Sequence, residues 1–244
     1  AATKKYVDDN AGGGGYADGY IKGGLISNNA TTPDSIIDIS AVKARSSDDT
    51  QDLDVSAGSL DITLDASWAS GTAPTLTDAS LFVWVDYNAG TQQFILDDAT
   101  GSNITDKKRF CDGLLTDGTD DIIPRVYSGD MNEISVYYED EITATEVAFS
   151  TPVSVSISVP DGRQLIPLVS MTVRGSSTTD RTVWVSGSDN TNNKIVYKNI
   201  DSTTANQKHS DLSEVVITST AELVFEATIT CSIDYNIHGY KFKR

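Results

Sequence analysis

An all-β fold is predicted by three observations. Apolar and polar side chains alternate with a period of two through most of the chain after residue 20. Aspartate outnumbers glutamate 28 to 7, and serine and threonine together number 54, a composition of turns and caps rather than of helices. No segment carries an amphipathic helical pattern longer than two turns, which sets the expectation of less than about a tenth helix.

The elements follow in order. Residues 1–19 read as a flexible arm, because Gly12, Gly13, Gly14 and Gly15 offer no packing side chain and are costly to order. In LDITL, Leu60, Ile62 and Leu64 share a face against Asp61 and Thr63. The run Leu81–Val85 is apolar on both faces, as expected of a covered strand. With Ala89-Gly90 behind it, 81–96 reads as a hairpin. Further short strands follow, separated by Asp117-Gly118 and Ser128-Gly129-Asp130, and Pro124 assigns its strand to an edge or a bulge.

The clearest alternation lies towards the C-terminus. Val153, Val155, Ile157 and Val159 alternate with Ser154, Ser156 and Ser158 before the turn Pro160-Asp161-Gly162. RTVWVSG and KIVYKNI read as strands, and 223–237 as one long two-faced strand. The expected architecture is an antiparallel N-terminal β domain (20–150) followed by a jelly-roll-like C-terminal β-sandwich (151–244) with Val155, Ile157, Phe225 and Ile229 in its core.

Charge supports that division. Residues 1–150 hold 26 acidic and 9 basic residues, a net −17, whereas 151–244 hold 9 of each. The acidic excess argues against a nucleic-acid partner, since phosphate contacts need Lys and Arg. No window approaches eighteen consecutive apolar residues, so no membrane insertion is expected. The opening AATKKYVDDN lacks an apolar h-region, which gives the expectation of a cytosolic product without a signal peptide.

Signals of chemistry are sparse. There is no nucleophile elbow, phosphate-binding glycine loop or HExxH, and no enzymatic activity or cofactor is expected. His209 falls in the polar loop STTANQKHSDLS and His238 on the polar face of the last strand, neither with a Ser or Cys neighbour that suggests a triad. Cys111 and Cys231 sit in apolar stretches and read as buried thiols, and pairing is left open. Acidic runs are candidates for Ca²⁺: Asp48-Asp49 with Asp52 and Asp54, Asp97-Asp98 with Asn103, and Asp117 with Asp120-Asp121. None has EF-hand spacing, so solvated turn aspartates are the reading. The sequons at Asn29 and Asn103 read as chance matches. Trp84 and Trp184 read as core; Trp68, before Ala69-Ser70-Gly71, is expected partly exposed, an aromatic contact able to stack on a sugar.

Three segments in sequence order resemble a β domain of bacteriophage tail-fibre and related virion proteins: YIKGGLISNNATTPDSIIDISAVKARSSDDTQDLDVS, LDITLDASWASGT and KKRFCDGLLTDGTDDIIPRVYSGD. The C-terminal half, from VSVPDGRQLIPL to IDYNIHGYKFKR, is similar to that family's sandwich; TLTDASLFVWVDYN departs from its pattern. The resemblance implies a virion structural protein, a tail-fibre or fibre-anchoring (adaptor) component contributing to host attachment. It implies no catalytic residues. The alternatives are a head fibre or capsid decoration protein, and a free carbohydrate-binding module. Expected partners are other copies of itself in a homotrimer, other phage tail or capsid proteins, and a host surface glycan. The apolar faces of 81–85 motivate the trimer, since one sheet cannot cover both. Lys4, Lys5 and Tyr6, with Gly12 to Gly15, are the candidate virion-docking arm.

Overall fold

The structure is a computed structural model. It describes residues 15–128, 133–143, 147–149, 151–175, 181–188, 195–200, 206–210, 215–217, 220–228 and 231–243. These form β1 (Ile21–Gly23), β2 (Ile26–Asn28), β3 (Ile36–Ile39), β4 (Val42–Arg45), β5 (Asp52–Val55), β6 (Gly58–Asp61), β7 (Ser80–Asn88), β8 (Thr91–Asp97), β9 (Lys107–Leu115), β10 (Arg125–Ser128), β11 (Glu133–Thr143), β12 (Val147–Phe149), β13 (Val153–Ser156), β14 (Ile166–Gly175), β15 (Arg181–Gly187), β16 (Ile195–Ile200), β17 (Asn206–Ser210), β18 (Glu222–Ala227) and β19 (Cys231–Lys243). Among the described residues the helical content is one 3-10 turn, Asp65–Ser67. The chain is all-β, as the period-two pattern predicts.

It divides into two compact units, residues 1–124 with 129–134, and 125–128 with 135–243. The charge step at residue 150 lies inside the second unit.

In the first unit, sheets β1-β4-β5 and β2-β3-β6 are two halves of one meander. Each of its three strands is broken at the same level: β1 from β2 at Gly24-Leu25, β4 from β3 at Ser40-Ala41, β5 from β6 at Ser56-Ala57. Pairing carries across the corner, where the Gly24 amide donates to the Ala41 carbonyl at 3.2 Å and the Ser40 amide to the Leu25 carbonyl at 2.9 Å. Gly23 and Gly24 turn the corner with φ of +80° and +66°, and a Cβ on Gly23 would collide with the Ala41 carbonyl oxygen. Bending the meander lets Ile21, Val42, Ala44 and Leu53 from one half and Ile26, Ile37 and Ile39 from the other bury their side chains, all at 2% exposure or less. Each of these but Ala44 contributes about 1.5–3 kcal/mol of hydrophobic stabilisation.

The third sheet is β8-β7-β9. The β7–β8 turn is Ala89-Gly90, with φ of +49° and +89°, the signature of a two-residue type I′ hairpin. Between β7 and β9 the register shifts at Val83/Trp84, leaving Cys111 as the extra residue of a bulge. Leu81, Phe82, Val83, Trp84 and Val85 are all buried. One chain therefore covers both faces of 81–85. Trp84 is held by its indole N–H on the Asp98 carbonyl (3.1 Å), the Phe110 ring edge-on at 5.4 Å and the Lys108 ammonium over its face.

The second unit is a β-sandwich. One sheet runs β10-β11-β19-β14-β17, with β12 also on β19; the other runs β13-β18-β15-β16. Val169, Met171, Ile233, Tyr235 and Ile237 of the first sheet and Val183, Val185, Leu223 and Phe225 of the second are buried. The Tyr235 hydroxyl reaches across to the Ser156 carbonyl (3.3 Å), and the Tyr138 hydroxyl donates to the Ser158 carbonyl at 2.7 Å.

Two expectations change here. The single strand expected over 223–237 is two strands in different sheets, β18 paired with β13 and β15, β19 with β14 and β12. Of the expected core, Ile157 and Phe225 are buried, while Val155 is half-buried because β13 is an edge strand with β18 as its partner. Ile229 lies outside the described residues.

Candidate functional site

Of the expected docking arm, Lys4, Lys5, Tyr6, Gly12, Gly13 and Gly14 lie outside the described residues. Gly15 begins a strap, residues 15–20, laid over the β4–β5 hairpin. Asp52 accepts the Tyr16 amide at 3.0 Å, and Asp49 accepts the Gly19 amide at 2.8 Å. The Arg109 guanidinium donates to the Gly19 carbonyl at 3.0 Å, and the Arg45 amide to the Tyr20 carbonyl at 2.8 Å. The Tyr16 and Tyr20 rings stack at 5.0 Å. Residues 15–19, expected as part of a flexible arm, are thus fastened to their own unit. Hydrogen bonds to carboxylates, a guanidinium and backbone groups, with one tyrosine stack, do this without an aliphatic side chain, which is why no alternating pattern announces it.

Trp68 is not an exposed contact. It is 7% exposed, and its indole N–H donates to the Ile62 carbonyl at 2.8 Å while the chain beside it bridges to Leu96. The small polar residues after it suggested a surface loop, but the loop folds back along β8. Trp84 is buried, as expected; Trp184 is half-buried.

The aspartates have an ordered use. Asp48, Asp61, Asp98 and Asp117 each accept both the amide and the hydroxyl of a threonine two residues on, namely Thr50, Thr63, Thr100 and Thr119. This is one repeated device: a D-x-T turn in which the carboxylate replaces backbone partners. Hydrogen bonds lower the carboxyl pKa at three of these. Asp48 is held well below the usual range by Lys107, Ser46 and Thr50. At Asp98, burial raises the pKa, but the Ser102 and Thr100 hydroxyls and amides outweigh it and leave it well below that range. Asp117 is lowered by the Thr119 hydroxyl and amide.

The proposed Ca²⁺ groups are dispersed by these contacts. Asp49 holds the strap, Asp52 pairs with Arg45 at 2.6 Å and Asp54 with Lys43 at 3.2 Å. Asp97 accepts the amide and side chain of Asn103, and Asp120 accepts the Thr77 hydroxyl. Among the described residues no group of three or more His, Cys, Asp or Glu is placed to hold a metal ion. Both sequon asparagines are likewise part of turns, Asn29 accepting from Thr31 and Thr32, Asn103 on Asp97.

One pairing was not foreseen. His238 and Ser170 approach at 2.7 Å between ring Nε2 and hydroxyl. The β14–β19 register shifts between Leu168/Gly239 and Val169/Ile237, so His238 is the extra residue of a bulge that turns its ring towards β14. The partners are 68 residues apart, beyond the reach of local pattern. The glycine after His238 in an alternating strand was the one available signal. A serine beside an imidazole suits nucleophilic chemistry only with oxyanion donors. Ser170 lies in an inner strand paired on both sides, with β17 and with β19, so the strand's amides serve the ladder. The pair joins two strands. His209, expected in a loop, is in β17 opposite Met171.

Cys111 and Cys231 are buried in different units and form no disulfide. Exposed large apolar side chains among the described residues are Leu64, Val126 and Tyr137, the last two being cross-strand partners on β10 and β11.

No family model and no curated protein matches the chain. Among solved structures, the chain is similar to one titled "Structure of infectious bursal disease virus Gx strain", at 10% identity over 91% of this chain and 74% of that one, with a TM-score of 0.18. A score that low bears on neither fold nor function.

Proposed function

We propose that the chain is a structural component of a bacteriophage particle, a tail-fibre or fibre-anchoring protein that multimerises, as a homotrimer, and contributes to host attachment. The observation that carries this reading is where the three resembling segments lie. The first forms the bent meander's β1–β5, the second runs from the end of β6 through Trp68, and the third forms β9, the turn after it and β10. They interlock: the Ile122 amide donates to the Asp34 carbonyl at 2.8 Å, the Ile62 amide to the Ser35 carbonyl at 2.9 Å, and the Ser47 amide to the Lys108 carbonyl at 2.8 Å. The features shared with the family are framework, and the carboxylates around them are committed to turns. A chain that devotes its polar groups to its own scaffold suits assembly better than turnover. Burial of Trp68 removes the residue that motivated a free carbohydrate-binding module.

Deleting residues 1–14, which leaves the strap in place, tests the reading. The truncated protein should fold and multimerise like the full chain but be missing from purified particles by immunoblot. Normal incorporation moves attachment away from the arm; absence of the full-length protein from particles overturns the reading itself.

A further inference from the structure

We propose that residues 15–23, the strap and β1, exchange between copies, so that each chain's β1 completes a neighbour's sheet along β4. The proposal rests on the multimeric reading above. Three features of the first unit support it. β1 is the first strand among the described residues and lies at the edge of their sheet, paired with β4 over Ile21↔Ala44, Lys22↔Lys43 and Gly23↔Val42. Its hold on the core is a single apolar anchor, Ile21, 1% exposed. The strap adds hydrogen bonds to Asp49, Asp52, Arg45 and Arg109, which a second copy offers identically.

The hinge is in place. β1 ends on Gly23 and Gly24 follows it, both with positive φ. Straightening this pair withdraws Ile21 from its own chain's core and offers it to the neighbour's, and glycine accepts the extended conformation as readily as the bent one. Exchange of an edge element through such a hinge keeps that element's contacts and turns them from intrachain into interchain ones.

The surface explains why exchange would be the route. A stable interface buries about 800 Å² per partner around an apolar centre. Among the described residues, three large apolar side chains are exposed, and 81–85 is covered within the chain. Contacts borrowed from the fold need no such patch.

The test joins Lys22 to Lys43. They are direct cross-strand partners with exposed side chains, so K22C/K43C in the full chain places two thiols across the β1–β4 pair. K43C/D54C, across β4–β5, is the control that must close within one chain. Size is measured by light scattering, then each variant is oxidised and run under non-reducing denaturing conditions. Exchange predicts covalent multimers for K22C/K43C and single chains for K43C/D54C. Single chains for both, from a multimeric protein, overturn exchange and leave the multimer standing; a monomer in light scattering overturns both. If the cysteine variants fail to fold, wild-type protein co-refolded from two isotope labels decides. Interchain contacts between Ile21 and Ala44 are expected, and purely intrachain ones overturn the proposal.

Discussion

Phe225 and Tyr235 stand on successive strands of the chain yet face one another across the sandwich, their ring centroids 6.0 Å apart. The backbone passes from one sheet to the other between Ala227 and Cys231, so ten residues of sequence link the two inner faces. Phe225 is fully buried. Phe225→Ala should destabilise the second unit by about 3–5 kcal/mol, the range for a large aromatic removed from a core. Tyr235→Phe, which loses only a 3.3 Å bond to the Ser156 carbonyl, should cost about 1 kcal/mol. Urea unfolding followed by near-UV circular dichroism separates the two. Equal losses would mean that the rings do not pack as described.

That sheet change shows what alternation can and cannot reveal. Leu223, Phe225, Cys231, Ile233, Tyr235 and Ile237 are all odd-numbered and all buried. Period two reports which face a residue takes, and the parity is kept across the switch, so one strand and two strands in opposite sheets read alike. The β7–β8 hairpin was legible because its turn chemistry is local. Trp68 reads as exposed because its sequence neighbours are small and polar, whereas its chain pairs with Leu96, 28 residues on. The aspartate surplus predicted turns correctly, but not that four of them share one D-x-T geometry. His238 and Ser170 were invisible because a bulge, rather than the alternation, sets their approach.

Gly239 should be irreplaceable. It has a φ of +143°, and a Cβ there would collide with the Val136 carbonyl oxygen. Both partners are backbone, so no rotamer change relieves the clash. Gly239→Ala should cost about 1–3 kcal/mol from the backbone alone, with the collision in addition. Gly58→Ala is the contrast, since the nearest atom to its Cβ is a Phe94 ring carbon at an ordinary 3.9 Å. It should fall within about 0.5 kcal/mol of wild type. Thermal melts of the two variants check the difference.

The β7–β8 turn can be improved. Ala89 holds a φ of +49°, a left-handed conformation that opposes its Cβ by about 1–2 kcal/mol. Asparagine tolerates that region and is preferred before glycine in type I′ turns. Ala89→Asn should therefore raise the denaturation midpoint of the first unit, by the equivalent of about 1 kcal/mol or less. A lower midpoint would show that the turn is not type I′ in solution.

Acid should act on the first unit through its turns. Asp38, Asp48, Asp98 and Asp117 all have lowered pKa values; at Asp38 the causes are the Ser59 hydroxyl and the Asn29 side chain. A carboxyl whose folded pKa is below its unfolded value of about 3.9 stabilises the fold above that value, and the contribution fades as pH falls through the folded pKa. Stability should thus drop from about pH 4 downward. Asp86 has the opposite sign. Burial raises its pKa, so its charged form opposes folding at neutral pH, and that penalty disappears as pH falls. Asp86→Asn keeps an acceptor for the Gln93 side-chain amide, 3.4 Å away. It should raise the denaturation midpoint at pH 7 and match wild type once Asp86 is protonated. Asp98→Asn should do the reverse, lowering the midpoint at pH 7 and flattening the decline below pH 4. Urea midpoints of both variants between pH 2.5 and 7.5 test this. If Asp98→Asn left the acid limb unchanged, the D-x-T turns would not be what holds the first unit at neutral pH.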